Sequence, residues 1–144
     1  MVAAVIIAAD QITKTVALDH LHPNQPVHVI GPSYWLLTFN PGAAFSMGAG
    51  VTPIVEAAVV VLVVGLLLVT GRVSETARWP VIIGFGLLLG GALSNLGDRL
   101  FRHEHGAVVD FIQAVGWWPI FNVADASIVI GVVVVVLSGA WNRG

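Results

Sequence analysis

Charge is scarce in this sequence, and cysteine is absent. Only 10% of the 144 residues are charged and 57% are hydrophobic, whereas a typical soluble domain has about 25% charged residues. Without cysteine there can be no disulfide framework, no thiolate nucleophile and no Cys-ligated metal site. The net charge of -2, with no basic run, argues against a nucleic-acid partner. A soluble fold this apolar would have no polar surface left, so the composition indicates an integral membrane protein.

Four segments are long and apolar enough to cross a bilayer, for which roughly 20 residues are needed and about 17 is the lower limit. They are residues 2–18, 53–70, 79–96 and 123–141. Outside them, PVHVIGPSYWLLTFN (26–40) has the composition of one or two short strands, and AVVDFIQAVG (107–116) is either a strand or an interfacial stretch. We predict an all-α membrane protein with one domain over residues 1–144. It is a four-transmembrane-helix bundle with a small extramembrane β-sheet on its outer face.

Positive charge outside the spans predicts the orientation. Arg72 and Arg78 lie in the short second connection, and Arg143 lies near the C-terminus. Residues 19–52, by contrast, contain no Lys or Arg. By the positive-inside rule, the second connection and both termini face the cytoplasm. Two arginines on the opposite side count against this orientation, although an acidic residue stands close to each.

Ionisable side chains inside a membrane span are costly and need either a partner or a function. Asp10 and Lys14 lie one helical turn apart in the first span, with the acid before the base, which is the favourable order for an ion pair. A structural pair facing the bundle interior and a functional role both fit this spacing. In the third span, Gly86, Gly90 and Ser94 recur every four residues and predict close contact with another helix.

Polar residues also gather at the outer end of the third span and the start of the fourth. Asn95 and Asp98 share a helix face, and Arg99 lies one turn beyond Asn95, so we predict a fixed polar network there. Asn122 is a good N-cap, and Asp125 follows at the third helical position, which approximates a capping box. A helix start therefore explains Asp125 on structural grounds alone.

Asp110 has no such local explanation. It is flanked by Val108, Val109, Phe111 and Ile112, and nothing in the neighbouring sequence requires a charge there. An acidic residue flanked on both sides by apolar residues indicates a functional role.

Metal and nucleophile chemistry have weaker support. The potential ligands of RHEHG (102–106) lie too close together to wrap one ion unaided, and there is no HExxH motif. No serine lies in a GxSxG or SxxK motif. Lys14, the only lysine, already has Asp10 as a partner. We expect neither a metal nor a cofactor.

Five motifs, in order along the chain, resemble one family, the lipoprotein signal peptidases (signal peptidase II). They are DQITK (10–14), FNPGAAFSM (39–47), GGALSNLGDR (90–99), VVDF (108–111) and FNVAD (121–125). Each motif alone is weak, but five in the right order across four spans make a specific match to nearly the whole chain. Two features depart from the family pattern: few residues precede Asp10, and Ser94 stands where glycine is common.

The resemblance implies an aspartic endopeptidase of the bacterial inner (plasma) membrane, with its active site towards the outer face. Its substrates would be prolipoproteins whose lipobox cysteine carries diacylglycerol, cut just before that cysteine. Asp110 and Asp125 would form the catalytic pair. Two carboxylates about 3 Å apart share one proton. We expect Asp125, at a helix N-terminus, to ionise more easily, and Asp110, among apolar residues, to hold the proton.

The resemblance also implies roles for the other polar residues. Those expected to orient the substrate and the acids are Asn40, Gly42, Asn95, Arg99 and Asn122. Asp10, Lys14 and Asp98 would have structural roles, with Asp98 holding Arg99. We expect a monomer that binds the prolipoprotein signal peptide and membrane lipids, but no nucleic acid.

Two other classes of membrane protein share some of these features. A small transporter or proton pathway also carries Asp, Lys and Asn in its spans, but broken helices near the midplane would mark it, and these spans are continuous. A non-catalytic scaffold built on the glycine stripe would not need Asp110 beside Asp125.

Overall fold

The computed structural model describes residues 1–41, 79–102 and 106–140, together with Gly65 and Leu68. These ranges contain the helices α1 (Val2–His20), α2 (Trp79–Phe101) and α3 (Val123–Ala140), and the strands β1 (Val27–Ile30), β2 (Ser33–Asn40) and β3 (Val108–Gln113). Three of the four predicted spans thus correspond to helices. The second predicted span, residues 53–70, lies outside the described residues except at those two single positions.

Among the described helices, α2 is long and apolar enough to cross a membrane by itself, and α3 has a shorter apolar stretch, Val123–Ser138. Three charged residues make α1 more polar: Asp10, Lys14 and Asp19. The large exposed side chains of α3 are all aliphatic, as a surface in contact with lipid requires. They are Val129, Ile130, Val132, Val133, Val136 and Leu137.

Glycines let α2 approach both neighbouring helices closely. Gly86 and Gly90, from the predicted stripe, face α1, and a Cβ at Gly90 would lie 2.9 Å from the carbonyl oxygen of Ala3. Gly91 faces α3, where a Cβ would lie 2.5 Å from the carbonyl oxygen of Ala124. The predicted helix contact is therefore confirmed, and α2 lies between the other two helices without room for side chains at these positions.

The three strands form an antiparallel sheet in the order β1-β2-β3, which confirms the predicted small sheet. Residues 26–40 contain two strands, and of the two alternatives for residues 107–116 the strand is the one observed. In the β2–β3 pairing, Thr38 lies opposite Asp110, two residues before Asn40. β3 also pairs with Phe121, which lies two residues before the start of α3. Phe121 donates its N–H to the carbonyl of Ile112 at 3.0 Å and accepts the N–H of Ile112 at 2.8 Å. This bridge ties β3 to the start of α3.

A small apolar core joins the sheet to the C-terminal part of α1. Its buried members are Ala17, Leu21, Leu37, Val109 and Phe111. Because Val109 and Phe111 flank Asp110, the same packing that holds β3 on α1 also fixes the backbone on both sides of that carboxylate.

Candidate active site

Two carboxylates from different elements form the centre of the site. Asp110 lies in β3 and Asp125 in the first turn of α3, and their exposed fractions are 0% and 3%. Asp125 Oδ1 accepts a hydrogen bond from Asn95 Nδ2 at 2.9 Å. Asp110 Oδ2 accepts one from Asn40 Nδ2 at 3.0 Å, and its Oδ1 accepts one from Asn122 Nδ2 at 2.7 Å. Three of the predicted orienting residues thus contact one of the two acids directly.

Asn122 connects the helix to the strand. Its Oδ1 accepts the backbone N–H of Asp125 at 2.8 Å, which confirms the predicted N-cap. Its Nδ2 donates to Asp110 and, at 3.2 Å, to Asn95 Oδ1 and to the carbonyl of Val109. One amide therefore caps α3 and at the same time orients the carboxyl group in β3.

The surroundings of Asp110 adjust its proton affinity. Burial, followed by the neighbouring charge of Asp125, raises the pKa of Asp110 from 3.8 to about 7. Hydrogen bonds from Asn40 and Asn122 and the positive charge of Lys14 act in the opposite direction. Asp110 therefore keeps its proton to higher pH than an ordinary aspartic acid, which suits a residue that donates and accepts a proton during a reaction.

A second buried cluster lies beside this pair and is centred on Lys14. Lys14 Nζ lies 2.7 Å from Asp10 Oδ2 and 2.7 Å from Asp98 Oδ2, and all three side chains are fully buried. The same ammonium donates to Asn95 Oδ1 at 2.9 Å. The predicted ion pair between Asp10 and Lys14, facing the interior, is confirmed, and it contacts a residue that itself binds Asp125.

The prediction that Asp98 holds Arg99 is wrong. Asp98 pairs instead with Lys14 and with Arg102, whose Nε lies 2.9 Å from Asp98 Oδ1. Arg99 Nη1 donates to the carbonyl of Gly106 at 2.9 Å. Consecutive side chains on a helix point about 100° apart, whereas residues four apart share a face. Helix geometry therefore favours Arg102 over Arg99 as the partner.

Gln11 and Arg102 belong to this cluster, and sequence reasoning missed both. Gln11 Nε2 donates to Asp98 Oδ1 at 2.8 Å, and Arg102 Nη2 donates to Gln11 Oε1 at 2.8 Å. Gln11 could have been identified from the sequence, because a glutamine inside an apolar span needs a hydrogen-bond partner on a neighbouring helix.

Two sequence predictions fall on other parts of the chain. Gly42, expected to help orient the substrate, lies outside the described residues, as do residues 103–105 of RHEHG. Within residues 1–41, 79–102 and 106–140, no three His, Asp or Glu side chains are grouped in a way that could hold a metal ion.

An apolar groove of about 420 Å³ opens beside Asp125. The rest of its lining is apolar: Ala114, Val115, Trp118, Phe121, Ala126, Val129 and Ile130. A hydrophobic group of a ligand lying in this groove would lie beside Asp125.

A family model described as Signal peptidase (SPase) II matches residues 2–141. The chain belongs to this family. It is 45% identical to the lipoprotein signal peptidase of Rhodococcus jostii (strain RHA1) over 141 residues, which cover 95% of this chain and 69% of that protein. It is 46% identical to the lipoprotein signal peptidase of Mycobacterium avium (strain 104) over 140 residues, which cover 94% of this chain and 75% of that protein.

Solved structures described as bacterial membrane enzymes have the same fold. One, determined at 2.3 Å, superposes with a TM-score of 0.81 at 25% identity and covers 99% of this chain and 89% of its own. Another, determined at 1.9 Å, has a TM-score of 0.80 at 26% identity and covers 95% and 88%. As a member of the signal peptidase II family, the chain is a membrane-embedded protease of bacteria, which excludes the transporter and scaffold interpretations.

Proposed function

We propose that this protein is an aspartic endopeptidase in which Asp110 and Asp125 are the catalytic pair. It removes the signal peptide of prolipoproteins whose cysteine carries diacylglycerol, cutting just before that cysteine. The lipoprotein class of substrate is supported by the name of its relatives, lipoprotein signal peptidase. The observation that carries the proposal is that two buried carboxylates, on β3 and on α3, lie close enough for the charge of Asp125 to raise the pKa of Asp110. Asn122 links the two positions, because its side chain donates to the Asp110 carboxyl group and accepts the backbone N–H of Asp125.

The two acids divide the chemistry between them. The Asp125 carboxylate removes a proton from a water molecule, whose oxygen attacks the carbonyl carbon of the scissile peptide bond. Protonated Asp110 donates to the carbonyl oxygen as negative charge develops there. The proton on Asp125 then passes to the leaving nitrogen, the C–N bond breaks, and Asp110 recovers its proton from the new carboxyl group. The raised pKa of Asp110, about 7, supports its assignment as the proton donor.

The groove beside Asp125 supports an apolar substrate. Its lining offers hydrophobic contact and includes Asp125, so an acyl chain or the apolar part of a signal peptide would lie along α3 with the scissile bond near Asp125. We assign Asn40, Asn95 and Asn122 to orienting the acids. Substrate positioning by Gly42 and Arg99 remains part of the proposal.

The proposed placement puts the active site of the single membrane-spanning peptidase domain (residues 1–144) towards the outer face of the bilayer, with both termini in the cytoplasm. The sheet lies at the same end of the helices as Asp110 and Asp125, which supports a site at the membrane boundary, where water reaches a lipid-anchored substrate. The arginines of the second connection support the orientation. We propose that the enzyme acts as a monomer in contact with lipid and without a cofactor.

Cleavage of a diacylglyceryl prolipoprotein in detergent tests the proposal. We compare the unmodified chain with Asp110→Asn and Asp125→Asn, and add a chelator to a parallel set of reactions. Each substitution should lower the cleavage rate at least about 100-fold, as expected for loss of a general acid or base, without unfolding the protein. Asp19→Asn, the same chemical change at an exposed carboxylate of α1, is the matched control. Full activity of either folded variant would disprove the catalytic pair, and loss of wild-type cleavage in chelator would indicate a metal.

A further inference from the structure

The Lys14 cluster is connected to the start of α3. Asp10 uses one oxygen, Oδ2, for the ammonium of Lys14 at 2.7 Å. Its other oxygen, Oδ1, accepts the backbone N–H of Ala124 at 2.8 Å. Ala124 directly precedes Asp125, so the ion pair in α1 holds the peptide unit next to that proposed catalytic residue.

The same cluster is connected to β3 in a parallel way. Asp98 Oδ2 lies 2.7 Å from the ammonium of Lys14 and accepts the backbone N–H of Val109 at 3.2 Å. Val109 directly precedes Asp110 in the strand. The two carboxylates that share one ammonium therefore each hold the backbone immediately before one member of the catalytic pair.

A third connection runs through a side-chain amide. Asn95 could present either its oxygen or its NH₂ group to Asp125, because the amide can rotate by 180° with little change in shape. Lys14 has only donors, so it favours the orientation in which Asn95 Oδ1 accepts from the ammonium. The NH₂ group then faces Asp125 Oδ1, to which it donates at 2.9 Å.

We propose that Lys14 is a positioning residue that sets the geometry of the catalytic pair through Asp10, Asp98 and Asn95. The inference rests on the proposed function. It adds a role for Lys14, which makes no direct hydrogen bond to Asp110 or Asp125. Misplacement of reacting groups by about 1 Å can cost about 100-fold in rate. Loss of the ammonium should therefore reduce catalysis even in a protein that folds normally.

A purely structural role must be separated from positioning, because removing one partner of a buried ion pair leaves an uncompensated charge and destabilises the fold. Lys14→Met alone would leave both carboxylates without this cation. The double variant Asp10→Asn with Lys14→Met removes a positive and a negative charge together. In it, Asp98 keeps its pairing with Arg102, and the amide oxygen at position 10 can still accept the N–H of Ala124.

The experiment measures kcat, KM and thermal unfolding in the same detergent, with a diacylglyceryl prolipoprotein as substrate. We expect the double variant to unfold close to the wild-type temperature. Its kcat should be about 100-fold lower and its KM unchanged within about threefold, because the loss concerns alignment rather than substrate binding. Asp19→Asn is the control. It removes a charge from an exposed position of the same helix, outside the Lys14 cluster, so its kcat should stay close to wild type.

Two results would overturn the inference. In one, a folded Lys14 variant, single or double, has wild-type kcat. In the other, the activity of each Lys14 variant falls only in proportion to its unfolded fraction. An Asp110→Asn reaction run in parallel distinguishes the two proposals. If that variant is inactive while the Lys14 variants are fully active, only the positioning role fails. If Asp110→Asn is itself active, the proposed function fails and the inference with it.

Discussion

Substitutions of Asn122 separate its function as a helix cap from its function as a donor to Asp110. The side chain is fully buried and uses Oδ1 for the N–H of Asp125 and Nδ2 for the Asp110 carboxyl group. Asn122→Ala removes both hydrogen bonds. Asn122→Ser retains an oxygen that can cap α3, but its hydroxyl is shorter than the amide that reaches Asp110.

The two hydrogen bonds allow the change in stability to be worked out. Loss of an N-cap costs about 1 kcal/mol, and loss of a hydrogen bond to a charged group costs about 1.5–3 kcal/mol. The lower end applies to Asp110, because its raised pKa leaves the carboxyl group only partly ionised near pH 7. We expect Asn122→Ala to lower the free energy of unfolding by roughly 2–3 kcal/mol, and Asn122→Ser to recover about 1 kcal/mol of that loss.

The pH dependence of cleavage should change in the same direction in both variants. The hydrogen bond from Asn122 lowers the pKa of Asp110, because it favours the ionised carboxylate. Without it the pKa rises above about 7, and Asp110 keeps its proton to higher pH. Since protonated Asp110 is the proposed acid, the alkaline limb of the kcat profile should move to higher pH.

Denaturant unfolding in detergent and cleavage rates from about pH 5 to about pH 9 measure both effects. Equal unfolding free energies for the Ala and Ser variants would refute the capping argument. An alkaline limb that stays in place or moves to lower pH in both variants would refute the donor argument, or the assignment of Asp110 as the acid.

Two further predictions concern stability. Folded Asp110 binds a proton up to about pH 7, whereas the unfolded chain releases it near pH 3.8. The free energy of unfolding should therefore fall by up to about 4 kcal/mol as the pH rises from about 3.8 to about 7. Asp110→Asn should abolish this pH dependence in denaturation curves. Gly91→Ala places a Cβ 2.5 Å from the carbonyl oxygen of Ala124 and should destabilise the protein by about 1–3 kcal/mol. Gly97→Ala, whose Cβ meets no described atom within 4 Å, is the control, and equal melting temperatures would contradict the packing argument.

The ends of the helices show what hydropathy can predict. The predicted spans beginning at residues 2 and 123 start where α1 and α3 start. The third span was predicted to end at residue 96, but α2 continues to Phe101. Hydropathy reports contact with lipid, whereas a helix continues as long as its backbone hydrogen bonds form. The extension carries Asp98, so part of the Lys14 cluster lies beyond the end predicted from apolar residues.

The contacts between helices could not be predicted in the same way. Spacing along the chain identifies neighbours on one helix, and it correctly paired Asp10 with Lys14. The contact between Asp10 and Ala124 spans 114 residues. It depends on how each helix is rotated about its axis, which the close approaches at Gly90 and Gly91 determine. The sequence motifs thus identified the polar residues of the site, while their pairing required the packed helices.

The two buried clusters compensate the cost of burying charge in different ways. Removing an ion from water costs several kcal/mol unless a partner or a proton compensates. Asp10 and Asp98 share the ammonium of Lys14, and this pairing holds them in place. Each can then accept a hydrogen bond from a backbone N–H group. Asp110 forms no ion pair with any described residue, and its neighbour Asp125 is another acid, so it takes up a proton instead. In the proposed mechanism both arrangements have a use, because Asp110 exchanges a proton while Asp10 and Asp98 hold the backbone that precedes Asp125 and Asp110.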